Sequence, residues 1–175
     1  MPQLLPELRL PDRYTNQGTA LDFLLDQLRW SLDQPLVHGP REWAARLARA
    51  LDRVRDAFDR HVNWAEAPDG PLAHLTDPGQ LPFSEEARQA QRLLREHAAL
   101  RGCLELLVAQ LRGALLLFPA PEQGAPEALP EARAYRLFDA LGWCVGDLLD
   151  ALDAHLAAEG KLFGATGQAR DLRPR

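Results

Sequence analysis

Four side chains of metal-ligand type stand where a helical core pattern calls for leucine: His61, His97, His155 and Glu159. In the last apolar-periodic segment, Leu141, Val145, Leu148, Leu152, His155, Glu159 and Leu162 follow one another in steps of four and three, the spacing of one inward-facing helix stripe. A buried imidazole and a buried carboxyl cost several kcal/mol unless they are paired, hydrogen-bonded or bound to a metal. His155 with Glu159 alone is equally well explained as a hydrogen-bonded buried pair one helical turn apart. What the other helices contribute at the same level decides between the two.

Two further stripes carry a histidine in the same way. Trp43, Leu47, Leu51, Val54, Phe58, His61 and Ala65 predict a helix from Pro40 to about Glu66, opened by a proline in the first turn and stopped by Pro68-Asp69-Gly70-Pro71. Leu93, His97, Leu100, Leu104, Leu107, Leu111 and Ala114 predict a helix capped by Ser84, with Glu85 and Glu86 in its first turn, ending near Phe118 before Pro119. The first helix is expected from about Thr19 to Gln34 on Leu21, Leu25, Leu28 and Leu32, and its stripe contains no His, Asp or Glu. The last is expected from Glu131 to Phe163, ended by Gly164 and Gly167. The prolines at 2, 6 and 11 make residues 1–18 an extended lead-in, residues 164–175 a polar tail, and Pro119 to Pro130 a loop. The connection from Ala67 to Phe83 is long and proline-punctuated, with an apolar knot at Leu72 and Leu75.

Composition narrows the field. A chain of 175 residues, 46% apolar and 26% charged, rich in helix formers and poor in β-branched residues, reads as one all-α domain large enough for its own core. The formal charge of -5 argues against nucleic acid as a partner, the arginines at 170, 173 and 175 notwithstanding. No apolar run approaches the roughly 20 residues of a membrane helix, and residues 1–13 lack a signal-peptide pattern, so no membrane partner and a cytoplasmic location are expected. Cys103 and Cys144 are too few for a disulfide framework and are expected as buried thiols. Trp30, Trp43, Trp64 and Trp143 are expected as core or interface aromatics. Lys161 is the sole lysine among the basic residues, a bias that reads as coding preference and not function. No phosphate loop, nucleophile elbow or carboxylate pair is present, and no residue outside the four stands out as acid, base or nucleophile, so the chain is not expected to be an enzyme.

Four helices with one apolar stripe each are expected to form an antiparallel up-down-up-down four-helix bundle. That topology brings the C-terminal ends of the second and fourth helices to the N-terminal end of the third. His61, His97, His155 and Glu159 would then meet at one level, while the remaining histidines, His38 and His74, fall in connections. Neutral imidazoles with a carboxylate, walled by leucines, are the donor set of a buried iron, manganese or zinc ion.

The segments Arg60-His61-Val62-Asn63-Trp64-Ala65-Glu66, Arg95-Glu96-His97-Ala98-Ala99-Leu100 and His155-Leu156-Ala157-Ala158-Glu159-Gly160-Lys161-Leu162 resemble, in order and separation, those of the hemerythrin-like family of cation-binding four-helix bundles, over about Leu21 to Phe163. The resemblance implies a non-haem iron cofactor, usually a carboxylate-bridged di-iron centre, serving oxygen binding, oxygen or redox sensing, or iron handling. The partners it implies are a metal ion and dioxygen; it names no protein partner. His61, His97, His155 and Glu159 match the family's ligand positions. The chain departs from the pattern in three places: the first helix offers Leu24, Leu25, Leu28 and Trp30 where a histidine is expected, Ala65 stands where a bridging carboxylate belongs, and Arg101 takes the place of a second histidine on the third helix. Glu66, one residue past Ala65, is carried as a fifth candidate ligand that a loosened helix end would turn inward. Two irons need about six protein ligands, whereas three histidines and one carboxylate suffice for one ion. The competing reading is a metal-free bundle serving as a structural or protein-interaction module.

Overall fold

The computed structural model describes residues 11–33, 40–76, 84–117 and 131–171. They form the helices α1 (Pro11–Asp33), α2 (Pro40–Ala65), α3 (Pro71–Thr76), α4 (Glu85–Leu116) and α5 (Glu131–Asp171), with no strand among the described residues. The described residues are therefore all-helical in class, and no helix among them is long and apolar enough to cross a membrane.

The stripes face inward as their period requires. Every named stripe position of α2, α4 and α5 is buried, as are Leu21, Leu25 and Leu28 of α1, with Leu32 partly so. Burying each of these leucines stabilises the fold by about 1.5–3 kcal/mol. α1 packs on α2 and α5, α2 on α4, and α4 on α5. Ser84 caps α4 as expected, its hydroxyl accepting from the Ala87 N–H at 3.0 Å.

Several boundaries differ from expectation. α1 begins at Pro11, so residues 11–18 are helical and only 1–10 of the expected extended lead-in lie outside the described residues. Proline at a first-turn position lacks only an N–H that has no helical partner anyway. α5 runs past Gly164 and Gly167 to Asp171 instead of stopping at Phe163, since a helical glycine costs about 1 kcal/mol and does not by itself break a helix. The expected loop from 119 to 130 lies outside the described residues.

The connection after α2 contains a fifth helix that was expected only as an apolar knot. Gly70 turns the chain tightly, its N–H donating to the Ala67 carbonyl at 2.7 Å. A Cβ there would lie 2.5 Å from the Trp64 carbonyl oxygen, so the backbone approach requires glycine. α3 then lays Leu72, fully buried, onto Ala65, Ala90, Leu93 and Leu162, with Leu75 beside them.

The apolar core is consequently split in two. The larger cluster contains Phe58, Leu100 and Leu152; the smaller contains Ala65, Leu93 and Leu162. Along the stripes of α2, α4 and α5 the positions between Phe58 and Ala65, Leu93 and Leu100, and Leu152 and Leu162 are the polar residues, with Val62 of the larger cluster beside His61. A buried polar layer thus has a wall of hydrocarbon on either side.

One expectation about surface chemistry is corrected and another is narrowed. Cys103 and Cys144 are exposed free thiols, because each is one position off its stripe and the neighbouring helices do not cover it. Trp30 and Trp143 are exposed, at 59% and 73%, while Trp43 is in the core, edge-on to Phe138, and Trp64 is half-buried.

Candidate metal centre

Each helix delivers its polar residue through the same register that delivers its leucines. His61 is three residues beyond Phe58 on α2, His97 three before Leu100 on α4, and His155 three beyond Leu152 on α5, followed one turn later by Glu159. All four are buried, His97 and Glu159 to 1% exposure. One ligand atom from each can be chosen so that all lie within 4.8 Å of one another. Phe58 forms a floor beneath the three imidazoles, its ring centre 5.9–6.1 Å from theirs.

The Glu159 carboxylate sits at the middle, and all three histidines turn Nε2 toward it. The His61 Nε2 is 2.7 Å from Oε2, and the His97 and His155 Nε2 atoms are 3.1 and 3.6 Å from Oε1. Only the His97 approach has hydrogen-bond geometry; Nε2 of His61, Nε2 of His155 and Oε2 of Glu159 have no hydrogen-bond partner among the described residues. Such orphaned atoms in a buried layer are costly unless something joins them. Ligands of a tetrahedral ion with bonds of about 2.1 Å lie about 3.4 Å apart, so the histidine-to-carboxylate spacings of 2.7–3.6 Å bracket that value and the widest spacing in the group, at most 4.8 Å, would have to close.

Charge is resolved within the layer. Burial by itself would raise the pKa of Glu159, but its histidine neighbours outweigh burial and hold it down to about 2. Burial likewise opposes a charge on His97, yet Glu159 and Glu66 on its two nitrogens raise its pKa above the ordinary imidazole value. For His155 burial prevails and its pKa is lowered. Within the layer the Glu159 carboxylate is thus held toward its anion, and His97, between two carboxylates, keeps a proton more readily than an ordinary imidazole.

Outside the layer lie two further carboxylates. Nδ1 of His97 donates to Oε1 of Glu66 at 2.8 Å, and Nδ1 of His155 donates to Oε2 of Glu96 at 3.0 Å. Burial would raise the pKa of Glu96, but His155 and Arg92 hold it below the usual range. Arg92 Nε donates to its other oxygen at 2.8 Å.

The structure thus brings together His61, His97, His155 and Glu159 and does not bring Glu66 into the same group. Glu66 was expected as a fifth ligand; because α2 ends at Ala65, its carboxylate passes outside the layer and meets the far nitrogen of His97. Glu96 was not anticipated, although it immediately precedes His97. A position beside a stripe points toward a neighbouring helix, and only the identity of that neighbour makes it meaningful. His74 is exposed on α3, and His38 lies outside the described residues. Arg101, where the resemblance implied a second histidine on this helix, pairs with Asp59 at 2.7 Å. The α1 side stays apolar: the Arg29–Asp153 ion pair ties α1 to α5 two residues before His155, where the buried side chains of α1 are Leu25 and Leu28. Comparison with protein-family models, curated proteins and solved structures returned no match.

Proposed function

We propose that this chain is a metal-binding protein, a hemerythrin-like antiparallel four-helix bundle holding one non-haem ion, iron in the first instance, between His61, His97, His155 and Glu159. The observation that carries the reading is the convergence of three Nε2 atoms on one buried carboxylate, with three of the facing atoms left without hydrogen bonds. The antiparallel arrangement is supported by paired contacts. Arg101 meets Asp59 and Arg112 meets Asp52, so ascending α4 corresponds to descending α2. Passing from the larger apolar cluster to the smaller raises the residue number on α2 and α5 and lowers it on α4.

One ion suits the donor set better than two. Four inward donors are present, and the extra carboxylates are engaged on the outer nitrogens of His97 and His155. In this reading His97 gives up its Nε2 proton when the layer takes a cation, and the apolar clusters on either side exclude water. A transition ion would supply redox chemistry there, which suits a role in oxygen or redox response or in iron handling; the protein binds and responds and does not turn over a substrate.

The test is metal content of protein purified without a chelating tag, with thermal unfolding before and after addition of iron, zinc or manganese. About one equivalent of bound metal is expected, with stabilisation near 2.7 kcal/mol at a free metal concentration about a hundredfold above Kd. Less than about a tenth of an equivalent with no stabilisation would overturn the reading. A second reading, a metal-free interaction module, has its own observation. Exposed Trp143 and Tyr135, with Trp43 and Phe138 deeper in, line a cleft of about 680 Å³ against Leu32 of α1. It predicts that metal leaves stability unchanged.

A further inference from the structure

Two of the three ligand histidines have their outer nitrogen on a carboxylate supplied by a different helix. Glu66, just past the end of α2, accepts from Nδ1 of His97 on α4; Glu96 on α4 accepts from Nδ1 of His155 on α5. A neutral imidazole carries one proton, so a proton fixed on Nδ1 leaves the lone pair on Nε2, the atom that faces Glu159. The two imidazoles are 1% exposed, while the glutamate side chains are 38% and 31% exposed. A glutamate so exposed gains little stability from such a contact, whereas a buried N–H without an acceptor is costly. The arrangement therefore serves the histidines. In Glu96 the other oxygen is taken by Arg92, which leaves Oε2 to His155.

We infer that Glu66 and Glu96 are positioning residues of the metal centre, each locking one ligand histidine in its Nδ1–H form with Nε2 aimed into the layer. The inference rests on the metal-binding reading above. His61 has no such carboxylate among the described residues; its ring lies nearly parallel to Phe58, at 24°. The control over ligand geometry is thus confined to the α4 and α5 ligands, and Glu66 couples it to the end of α2.

The experiment compares the full chain with Glu66→Gln, Glu96→Gln and Glu96→Ala, using Glu105→Gln, an exposed α4 change away from the site, as control. Zinc affinity is read by competition with a chromophoric chelator, and the His155 Nδ1–H resonance by proton NMR of the zinc-loaded protein. Each Gln variant is expected to bind zinc about 10-fold more weakly, within the 10–100-fold range usual for such partners, and Glu96→Ala more weakly still. The Nδ1–H resonance should shift in Glu96→Gln and broaden by exchange with water in Glu96→Ala. The melting temperature of the metal-free protein should stay at the wild-type value in both Gln variants. Wild-type zinc affinity in both Gln variants overturns the inference while leaving the metal-binding reading intact. So does an affinity loss that merely follows a lower metal-free melting temperature with the resonance in place. Failure of the wild-type chain itself to bind zinc overturns both.

Discussion

Glu159 is the residue on which the polar layer turns, since among the described residues it is the one carboxylate in the layer and three imidazoles address it. Its pKa of about 2 lies below the ordinary carboxylate value, so it binds its proton less readily folded than unfolded. The resulting stabilisation of metal-free protein is fully present well above pH 4.5 and is lost as the pH falls through 2, amounting to about 3 kcal/mol over the whole range. Urea unfolding in chelator at pH 6 and pH 3 should therefore show wild type losing more stability than Glu159→Gln over that interval; equal losses would contradict the sign. On the metal-binding proposal, the same variant should lower metal affinity at neutral pH by more than either outer carboxylate variant, because it would remove a ligand and not a ligand's support. Direct titration with zinc measures this.

At the scale of elements, the end of α2 controls both the placement of α3 and one outer carboxylate. Trp64, Ala65 and Glu66 enter the turn that Gly70 closes, and α3 leaves that turn to press Leu72 onto the smaller apolar cluster. Gly70→Ala would place a methyl group against two carbonyl oxygens that belong to backbone and cannot swing aside. A loss of about 1–3 kcal/mol is expected, in the range of substitutions that force a backbone shift. Hydrogen exchange should localise the disturbance to α3 and the last turn of α2. Protection unchanged there, with stability unchanged, would mean that the close approach is not needed. Helix existence and facing were legible from the stripes of α2, α4 and α5. The start of α1 and the end of α5 were not, because proline and glycine near a helix end mark where a helix can stop without requiring it.

For the whole molecule, the polar layer interrupts what would otherwise be one continuous apolar core. Replacing a buried charged cluster by well-packed hydrocarbon is often neutral or stabilising by about 1–4 kcal/mol. The combined variant His61→Leu, His97→Leu, His155→Leu and Glu159→Leu should therefore be at least as stable as the metal-free wild type, by chemical unfolding, and should bind no metal. Marked destabilisation of that variant would instead assign the cluster a structural role. The outcome bears directly on why four leucine sites carry histidine and glutamate.

The sequence alone determined which residues face inward, because a helix repeats every 3.6 residues and a stripe that admits His61, His97, His155 and Glu159 must bury them. It also determined that three long helices would each bring polar groups to the core, since prolines and a serine cap set their register. The tertiary structure decided what meets the outer nitrogens of those histidines. Glu66 and Glu96 lie beside the stripes, where a side chain's meaning depends on which helix stands next to it and at what height. The same holds for Cys103 and Cys144: one step off a stripe is core if a neighbour covers it and surface if none does. Periodicity is a property of one helix, whereas neighbourhood is a property of the folded chain.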